Sequence, residues 1–379
     1  ENSGPSYSVS RMCESLEKNV NLELLTLSKK TYQGLTDNKN LNKMQFHKEF
    51  DISYRYKKLG ISNKLRNYIK SKIDSKEVDI IHSHAMWHFL ATYPGNLIKK
   101  NKCKIIISPR GTFAKAAFGH KPFLKKLFWK TILYPAINKA HCFHATSFEE
   151  YLDIRNRGFK QPVAIIPNGV DIHSINKDKK YSLKRNIVYL GRIHKLKGLE
   201  NLLYAWKKIY LNHDNWNLKI IGTDIGYNKK SNYLQKIKNL SLKLQLKNIN
   251  FIDPIYGIEK FQTLADSEIM ILPSFAENFG MTIAESLSVG TPVITTNQTP
   301  WPALEEKNAG WTIDTTVEAT VACLEIALSK NKEELEKMGQ NGIVWMKNDY
   351  SWSNITIQLV KTYEWLINPD KNHKWIITK

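Results

Sequence analysis

Short runs rich in Ile and Val alternate with helix-length segments along almost the whole chain, and this rhythm constrains the fold more than any other feature of the sequence. Each run ends in turn residues, as buried strands do. Strands that alternate with helices in this way form parallel sheets covered by helices. The predicted strands lie in residues 78–84, 103–110, 141–147, 162–169, 186–193, 218–223, 249–253, 268–274 and 291–296.

The length of 379 residues exceeds that of one ordinary core, so the sequence predicts two α/β domains. The polar, Lys-rich segment 168–186 has neither period and is interpreted as the link between them. We expect an N-terminal domain over 1–167, a C-terminal domain over 168–350 and a final segment over 351–379. Since doubly wound sheets bind ligands at the carboxyl ends of their strands, two facing domains predict a site in a central cleft.

The apolar stretch "PSFAENFGMTIAESLSVGTPVITT" carries only two charged residues, Glu277 and Glu285, eight positions apart. It reads as a strand exit loop followed by a helix, whose first N–H groups suit a phosphate. Those groups belong to Gly280, Met281 and Thr282, and Gly280 would let a ligand approach the backbone closely. The carboxylates could then accept hydroxyl hydrogens on either side of a diphosphate. Alternatively, Glu277 is a helix-dipole partner and Glu285 an exposed helix residue.

The stretch "GRIHKLKG", residues 191–198, follows the first strand of the C-terminal domain and opens a helix. It places Arg192 and Lys197 at one edge of the sheet. Two cations beside a helix N-terminus are typical of a diphosphate clamp. Alternatively, both are solvated surface cations in a chain with many of them.

With these motifs in order, the chain resembles the retaining glycosyltransferases of family 4, which have the two-domain GT-B fold. "ENFGMTIAE" matches the family's E-x7-E signature, "GRIHKLKG" its diphosphate-binding element and "IPNGVD" its interdomain segment. "GTPVITTNQTPW" and "SPRGTF" resemble the branch that builds lipopolysaccharide, O-antigen and capsular polysaccharide. The resemblance extends to "SWSNITIQLVKTYEWL", a late helix that in this fold packs back onto the first domain.

The resemblance implies a role for each matched residue. Glu277 would contact the hydroxyls of the donor sugar, Glu285 would hold the ribose, and Arg192 and Lys197 would neutralise the diphosphate as charge grows on it. The diphosphate would lie against Asn278, Phe279, Gly280, Met281 and Thr282. The implied reaction is a metal-independent, same-face displacement with retention, and the sequence has no D-x-D cluster to hold a metal. The substrate would be a UDP- or GDP-linked sugar, with no further cofactor.

In the N-terminal domain the resemblance is carried by fewer residues. Gly4, in "SGPSYS", would approach the donor phosphate or the acceptor, although the family's first strand is missing ahead of it. Arg110 occupies a position where many relatives have His, and it would contact the donor or an anionic acceptor, or else form a structural ion pair. His82 and His84 would line the cleft, or else be satisfied core histidines.

The chain is formally +21, and most of the excess lies early: 29 basic against 13 acidic residues up to Ile165, and 27 against 22 after it. The segment 120–140 interleaves cations with aromatic residues, as an interfacial helix on anionic lipid does. We therefore expect a peripheral protein at the inner face of the cytoplasmic membrane, with a lipid-linked saccharide acceptor. Alternatively, the aromatic face packs on its own sheet. The membrane-facing candidates are Lys121, Phe123, Lys125, Lys126, Trp129 and Lys130.

Three other functions are compatible with parts of the sequence. The net charge would allow nucleic-acid binding, but no nucleic-acid module is recognised, so no nucleic-acid partner is predicted. An epimerase or phosphorylase would share the fold, and a binding protein without catalysis is a further alternative. The four scattered cysteines show no metal-like or C-x-x-C spacing, which favours reduced thiols in a cytoplasmic compartment.

Overall fold

The computed structural model describes residues 4–28, 44–53, 59–98, 103–114, 122–175, 184–225, 232–369 and 372–378. The chain divides into two compact units. Unit 1 consists of Glu1–Gly169 and Trp352–Lys379, and unit 2 of Val170–Ser351. Each unit has its own parallel sheet and its own core.

Unit 1 contains a five-stranded sheet in the order β13-β6-β5-β4-β3, in which only β13 is antiparallel, and a separate parallel pair, β1-β2. Its strands are β1 (Leu24–Leu27), β2 (His47–Phe50), β3 (Ile80–His84), β4 (Lys104–Ser108), β5 (Cys142–Ala145), β6 (Val163–Ile165) and β13 (Ile376–Ile377). Its helices are α1 (Gly4–Leu16), α2 (Asn63–Asp74), α3 (Tyr93–Leu97), α4 (Pro122–Phe128), α5 (Tyr134–Ile137), α6 (Phe148–Asn156) and α13 (Trp352–Ile367). A π-helical segment, Trp129–Leu133, joins α4 to α5.

Both faces of the larger sheet in unit 1 are buried, as expected for a parallel sheet. Successive residues of β4 point to opposite faces: Ile105 and Ile107 pack with the α4–α5 segment, whereas Ile106 packs with α1 and α13. The late helix α13 thus supplies part of the core of unit 1, through residues such as Leu359 and Trp365.

Unit 2 contains a six-stranded, all-parallel sheet in the order β12-β11-β10-β7-β8-β9. Its strands are β7 (Arg185–Leu190), β8 (Trp216–Ile221), β9 (Ile249–Ile252), β10 (Ile269–Leu272), β11 (Val293–Thr296) and β12 (Gly310–Ile313). Its helices are α7 (Leu199–Ile209), α8 (Tyr233–Lys243), α9 (Gly257–Ala265), α10 (Met281–Ser288), α11 (Val317–Ser329) and α12 (Lys332–Trp345). The central strands β7 and β10 are neighbours, so the loops that follow them leave the same edge of the sheet side by side.

All nine predicted strands are present, and the described residues form four further strands that the sequence pattern does not predict. Two of these, β1 and β2, are short, and β2 carries two exposed charged residues. The other two, β12 and β13, have four and two residues. The charged strand β2 and the two-residue strand β13 lack the apolar run on which the prediction rests.

Candidate functional site

Two loops of unit 2 are hydrogen-bonded to each other at the carboxyl edge of its sheet. After β7 the chain runs through a 3₁₀ turn, Lys195–Lys197, to Gly198, where α7 begins. The Leu196 carbonyl accepts hydrogen bonds from the Phe275 N–H, at 2.8 Å, and the Ser274 hydroxyl, at 3.0 Å. Gly198 has φ +69°, and a Cβ there would lie 1.9 Å from the Pro273 carbonyl oxygen. The close approach of the two loops therefore requires glycine.

This approach brings Lys197 and Glu277 into contact. The Lys197 ammonium donates a hydrogen bond to the Glu277 carboxylate, and the two side chains are 18% and 12% exposed. Water screens a pair of this kind less than it screens a surface salt bridge. The sequence places Lys197 and Glu277 at one edge of the sheet, but it does not predict that they pair.

Arg192 lies at the same edge and is exposed. Its backbone carbonyl accepts a hydrogen bond from the Tyr189 hydroxyl at 2.8 Å, which fixes the start of the loop. Within the described residues no hydrogen-bond or ion-pair partner is found for its guanidinium. Burial and then the charges of Arg192, Lys195 and Lys197 lower the pKa of His194, so the loop is a positive region. Arg192 is thus a cation available to an anionic ligand.

The helix α10 begins beside these cations. Gly280, with φ +81°, is its N-cap, and no side chain caps it. Met281 and Thr282, in the first turn, are partly exposed, whereas Phe279 is buried and its carbonyl accepts a hydrogen bond from the Trp301 indole. The N–H groups of this turn can therefore reach a ligand at the positive end of the helix. Asn278 is half-buried in the preceding loop.

Glu285 lies one turn into α10 and is buried, with 3% of its surface exposed. The alternative of an exposed helix residue is therefore wrong. The Lys260 ammonium, on α9, donates a hydrogen bond to its carboxylate at 2.7 Å. Sequence reasoning misses Lys260, because its position on an ordinary amphipathic helix carries no signal of this tertiary contact. The two acidic residues of the segment are thus each paired with a lysine from another element.

In unit 1 one of the two predicted histidines, His82, belongs to a hydrogen-bonded chain with His144 and Tyr363. His144 Nε2 lies 2.8 Å from the Ile166 carbonyl oxygen, so it carries the proton. His144 Nδ1 then accepts from His82 Nε2 at 3.3 Å, and His82 Nδ1 accepts from the Tyr363 hydroxyl at 2.9 Å. Burial lowers the pKa of both histidines, in His144 to about 3. His82 is therefore a satisfied, neutral histidine, as the alternative prediction proposes, but it is half-buried and does not lie in the core.

Arg110 contacts His84 rather than a carboxylate. Its Nε donates to His84 Nδ1 at 3.4 Å, and its Nη1 donates to the Asn168 side-chain oxygen. No ion pair of Arg110 is found within the described residues, so the structural ion pair offered as an alternative is absent there. Gly4 is the first residue of α1.

The segment predicted as a helix over 120–140 is helical, as α4, the π-helical segment and α5, and its aromatic residues divide between two faces. Phe123 and Leu127 are 76% and 52% exposed, and Lys126 and Lys130 are exposed on the same side. Trp129 instead packs against Phe113, with ring centroids 5.3 Å apart, and so contributes to the core of unit 1. The expectation for Trp129 is therefore corrected. Lys121 lies outside the described residues, as does the side chain of Lys125.

Within the described ranges, no group of three or more His, Cys, Asp or Glu side chains is placed to hold a metal ion. In that same part of the chain, no helix is both long enough and apolar enough to traverse a bilayer. The four cysteines are buried free thiols, and burial raises the pKa of Cys103 to about 11 and of Cys142 to about 12.

Two family profiles match the chain. The profile of glycosyl transferases group 1 matches residues 172–345, and that of glycosyltransferase family 4 matches residues 4–174. D-inositol 3-phosphate glycosyltransferase of Corynebacterium efficiens is 27% identical over 47% of this chain and 42% of its own. An uncharacterized 41.2 kDa protein in the cps region of Klebsiella pneumoniae is 25% identical over 59% and 62%. The chain thus spans about half the length of these relatives.

The fold is also shared with solved structures. The crystal structure of HepE from Anabaena in complex with UDP and glucose aligns with a TM-score of 0.74 at 13% identity, covering 96% of each chain. The predicted fold class, α/β with two doubly wound units as in the GT-B fold, is confirmed. On the profile matches and this fold, the chain belongs to the group 1 glycosyltransferases of family 4.

Proposed function

We propose that the protein transfers a hexosyl-type sugar from a UDP- or GDP-linked donor to a saccharide acceptor. The observation that carries the proposal is the carboxyl edge of unit 2, where the Lys197–Glu277 pair, the first turn of α10 and the Arg192 guanidinium, for which the described residues offer no partner, lie together. Fixed cations and N–H donors at one point suit a diphosphate. A relative's complex with UDP and glucose, seen in the HepE structure, supports the choice of donor.

The roles proposed for the residues follow from their positions. Arg192 and Lys197 accept the charge that grows on the diphosphate when the bond from its oxygen to sugar C1 breaks. Glu277, beside Lys197, contacts the sugar hydroxyls, and Glu285 holds the ribose. The bond from the acceptor oxygen to C1 forms on the face that the diphosphate leaves, and the acceptor proton passes to a phosphate oxygen. This retaining route requires neither a metal nor a protein nucleophile.

The acceptor and the location are proposed from unit 1. Phe123, Lys126, Leu127 and Lys130 recur at helical spacing and are all exposed, which gives an apolar and basic strip on one side of the helix. Such a strip would bind the anionic inner surface of the cytoplasmic membrane, where a lipid-linked saccharide is presented. A relative in a capsule gene region supports a place in the synthesis of surface polysaccharides, such as capsule, O-antigen or lipopolysaccharide.

The donor site is tested by calorimetric titration with UDP and then GDP, without divalent metal, on the wild type and on Arg192→Ala. We expect one nucleotide to bind, and the substitution to weaken that binding at least about 10-fold, because it removes a charge-assisted contact. Lys195→Ala is the matched control, since Lys195 is an exposed cation of the same loop. Equal losses in both variants would mean that only the general positive field matters. Binding of neither nucleotide would refute the donor site.

A further inference from the structure

Arg110 is a buried cation at the carboxyl edge of the sheet in unit 1, and among the described residues no carboxylate forms an ion pair with it. It follows β4 and is 7% exposed. Its guanidinium donates to the Asn168 side-chain oxygen, to His84 Nδ1 at 3.4 Å and to the Met12 sulfur at 3.8 Å. These three acceptors are uncharged, since burial keeps the pKa of His84 well below 6.5. Burial also lowers the pKa of Arg110, to about 10, so the guanidinium is charged at neutral pH.

Glu150, the one carboxylate among the described residues whose charge raises the pKa of Arg110, forms no ion pair with it. The Glu150 carboxylate accepts hydrogen bonds from the Gly111 N–H at 2.6 Å and from the Thr146 N–H and hydroxyl at 2.7 and 2.8 Å. The Glu150 carboxylate therefore holds together the loops that contain Gly111 and Thr146. A guanidinium has five N–H donors, and the acceptors found for Arg110 occupy three of them.

A second buried group nearby is also unsatisfied. The Ser108 hydroxyl is fully buried, and no hydrogen-bond partner is found for it among the described residues. Ser108 is in register with His84 on the neighbouring strand β3, so the two side chains leave the same face of the sheet. Because His84 Nδ1 accepts from Arg110, its proton is on Nε2. Uncompensated buried polar groups are costly, and here they converge at the edge where such sheets bind ligands.

We propose that Arg110 is the anion-binding residue of unit 1 and takes an oxyanion, a phosphate or a carboxylate, carried by a saccharide substrate. The planar guanidinium would hold two oxygens of the anion, and Ser108 and His84 Nε2 would supply further donors. This rests on the proposed function, because it assumes that a saccharide reaches unit 1. It narrows that substrate to an acidic sugar or a sugar phosphate.

The test is a set of ligand-observed NMR titrations of the full chain with glucuronate and with glucose 6-phosphate, at constant ionic strength, with glucose as the neutral comparison. We expect the wild type to bind at least one acidic sugar roughly 10- to 100-fold more tightly than glucose. Arg110→Gln loses this preference. Arg157→Gln is the matched control, because Arg157 is another arginine of unit 1 that donates to a neutral acceptor, the Phe113 carbonyl. The two acidic sugars distinguish a carboxylate site from a phosphate site.

A parallel titration with UDP separates this proposal from the donor site. Arg192→Gln should weaken UDP and leave the preference for acidic sugars, whereas a loss of that preference in Arg192→Gln alone would overturn the proposal. A wild type without any preference, or an Arg110→Gln variant that keeps it, would also overturn it. An equal loss of UDP binding in both variants would assign the Arg110 anion to the donor diphosphate. If Arg110→Gln fails to fold, Arg110→Lys, which keeps the charge but not the planar fork, should retain a weakened preference.

Discussion

The Lys197 ammonium is hydrogen-bonded to the Glu277 carboxylate, across two loops that leave neighbouring strands of unit 2. Part of the Lys197 charge is therefore already compensated by the protein, while the Arg192 guanidinium has no such partner in the described residues. Arg192 would therefore stabilise a bound diphosphate electrostatically more than Lys197 would. The contribution of Glu277 to sugar transfer can therefore be measured separately from the contribution of Arg192 and Lys197 to nucleotide binding.

Glu277→Gln should reduce sugar transfer far more than it reduces nucleotide binding. The substitution removes a negative charge beside Lys197, so UDP or GDP should bind at least as tightly as in the wild type. Transfer should fall by roughly 100-fold or more, because the contact to the reacting sugar is lost. Calorimetry and a transfer assay measure the two effects. Glu306→Gln, at an exposed carboxylate of unit 2, should change neither. Weaker nucleotide binding with normal transfer would reverse the assigned role.

The buried pair Lys260–Glu285 makes a prediction about stability as well as binding. Lys260→Met leaves the carboxylate of Glu285 buried without its cation, which should destabilise unit 2 by about 3–5 kcal/mol. Lys260→Met combined with Glu285→Leu should recover most of that loss, because no charge then remains to be desolvated. Urea-induced unfolding of the single and double variants measures the coupling.

The role of Glu285 in binding is tested separately, by measuring nucleotide binding. Glu285→Ala should weaken binding of UDP or GDP, since the ribose loses its carboxylate acceptor, while Glu277→Ala should abolish transfer more than it weakens nucleotide binding. If Glu285→Ala and the stable double variant bind nucleotide normally, the pair is a structural element and the ribose role is wrong.

The strand and helix order could be predicted from the sequence because each central strand is a buried apolar run, which is recognisable without knowledge of its neighbours. The positions of Arg192 and Glu277 follow from that order, since residues after neighbouring parallel strands share an edge. The partners of Glu285 and His82 could not be predicted. Lys260 and Tyr363 come from helices, α9 and α13, whose packing decides which side chain meets which. The sequence pattern predicts which face of a helix is buried, but it does not predict which side chains pack against that face.

Gly198→Ala and Gly257→Ala form a matched pair that tests the close approach of the two loops. Both glycines have positive φ, +69° and +59°, so alanine should cost each about 1–2 kcal/mol of backbone strain. At Gly257 nothing lies within 4 Å of a Cβ, whereas at Gly198 the Cβ would lie 1.9 Å from the Pro273 oxygen. Gly198→Ala should therefore be the less stable variant, by at least about 1–3 kcal/mol, and should separate Lys197 from Glu277. Equal urea midpoints and normal nucleotide binding in both would contradict this.

The histidines of unit 1 should make the protein less stable at mildly acidic pH. Burial, followed by the charge of Arg110, lowers the pKa of His144 from 6.5 to about 3. Between these values the unfolded chain binds a proton that the folded chain does not, so stability is full above pH 6.5 and falls as the pH falls. At pH 5 the loss should be about 2 kcal/mol for this histidine. Urea unfolding at several pH values should show the slope, and His144→Asn should reduce it; an unchanged slope would place the titration elsewhere.

Membrane binding should depend on the exposed side chains Phe123 and Leu127. Replacing both by Ser removes the apolar contact but keeps the charges of Lys126 and Lys130, and it should lower binding to vesicles containing anionic lipid by roughly 10-fold or more. Leu211→Ser is the control, because Leu211 in unit 2 is 73% exposed but lies outside this helix. Raised salt should weaken the wild type as well, since cations near an anionic surface each contribute about 1 kcal/mol. Equal losses in both variants would mean that any exposed apolar residue suffices, and the helix would then have no special role.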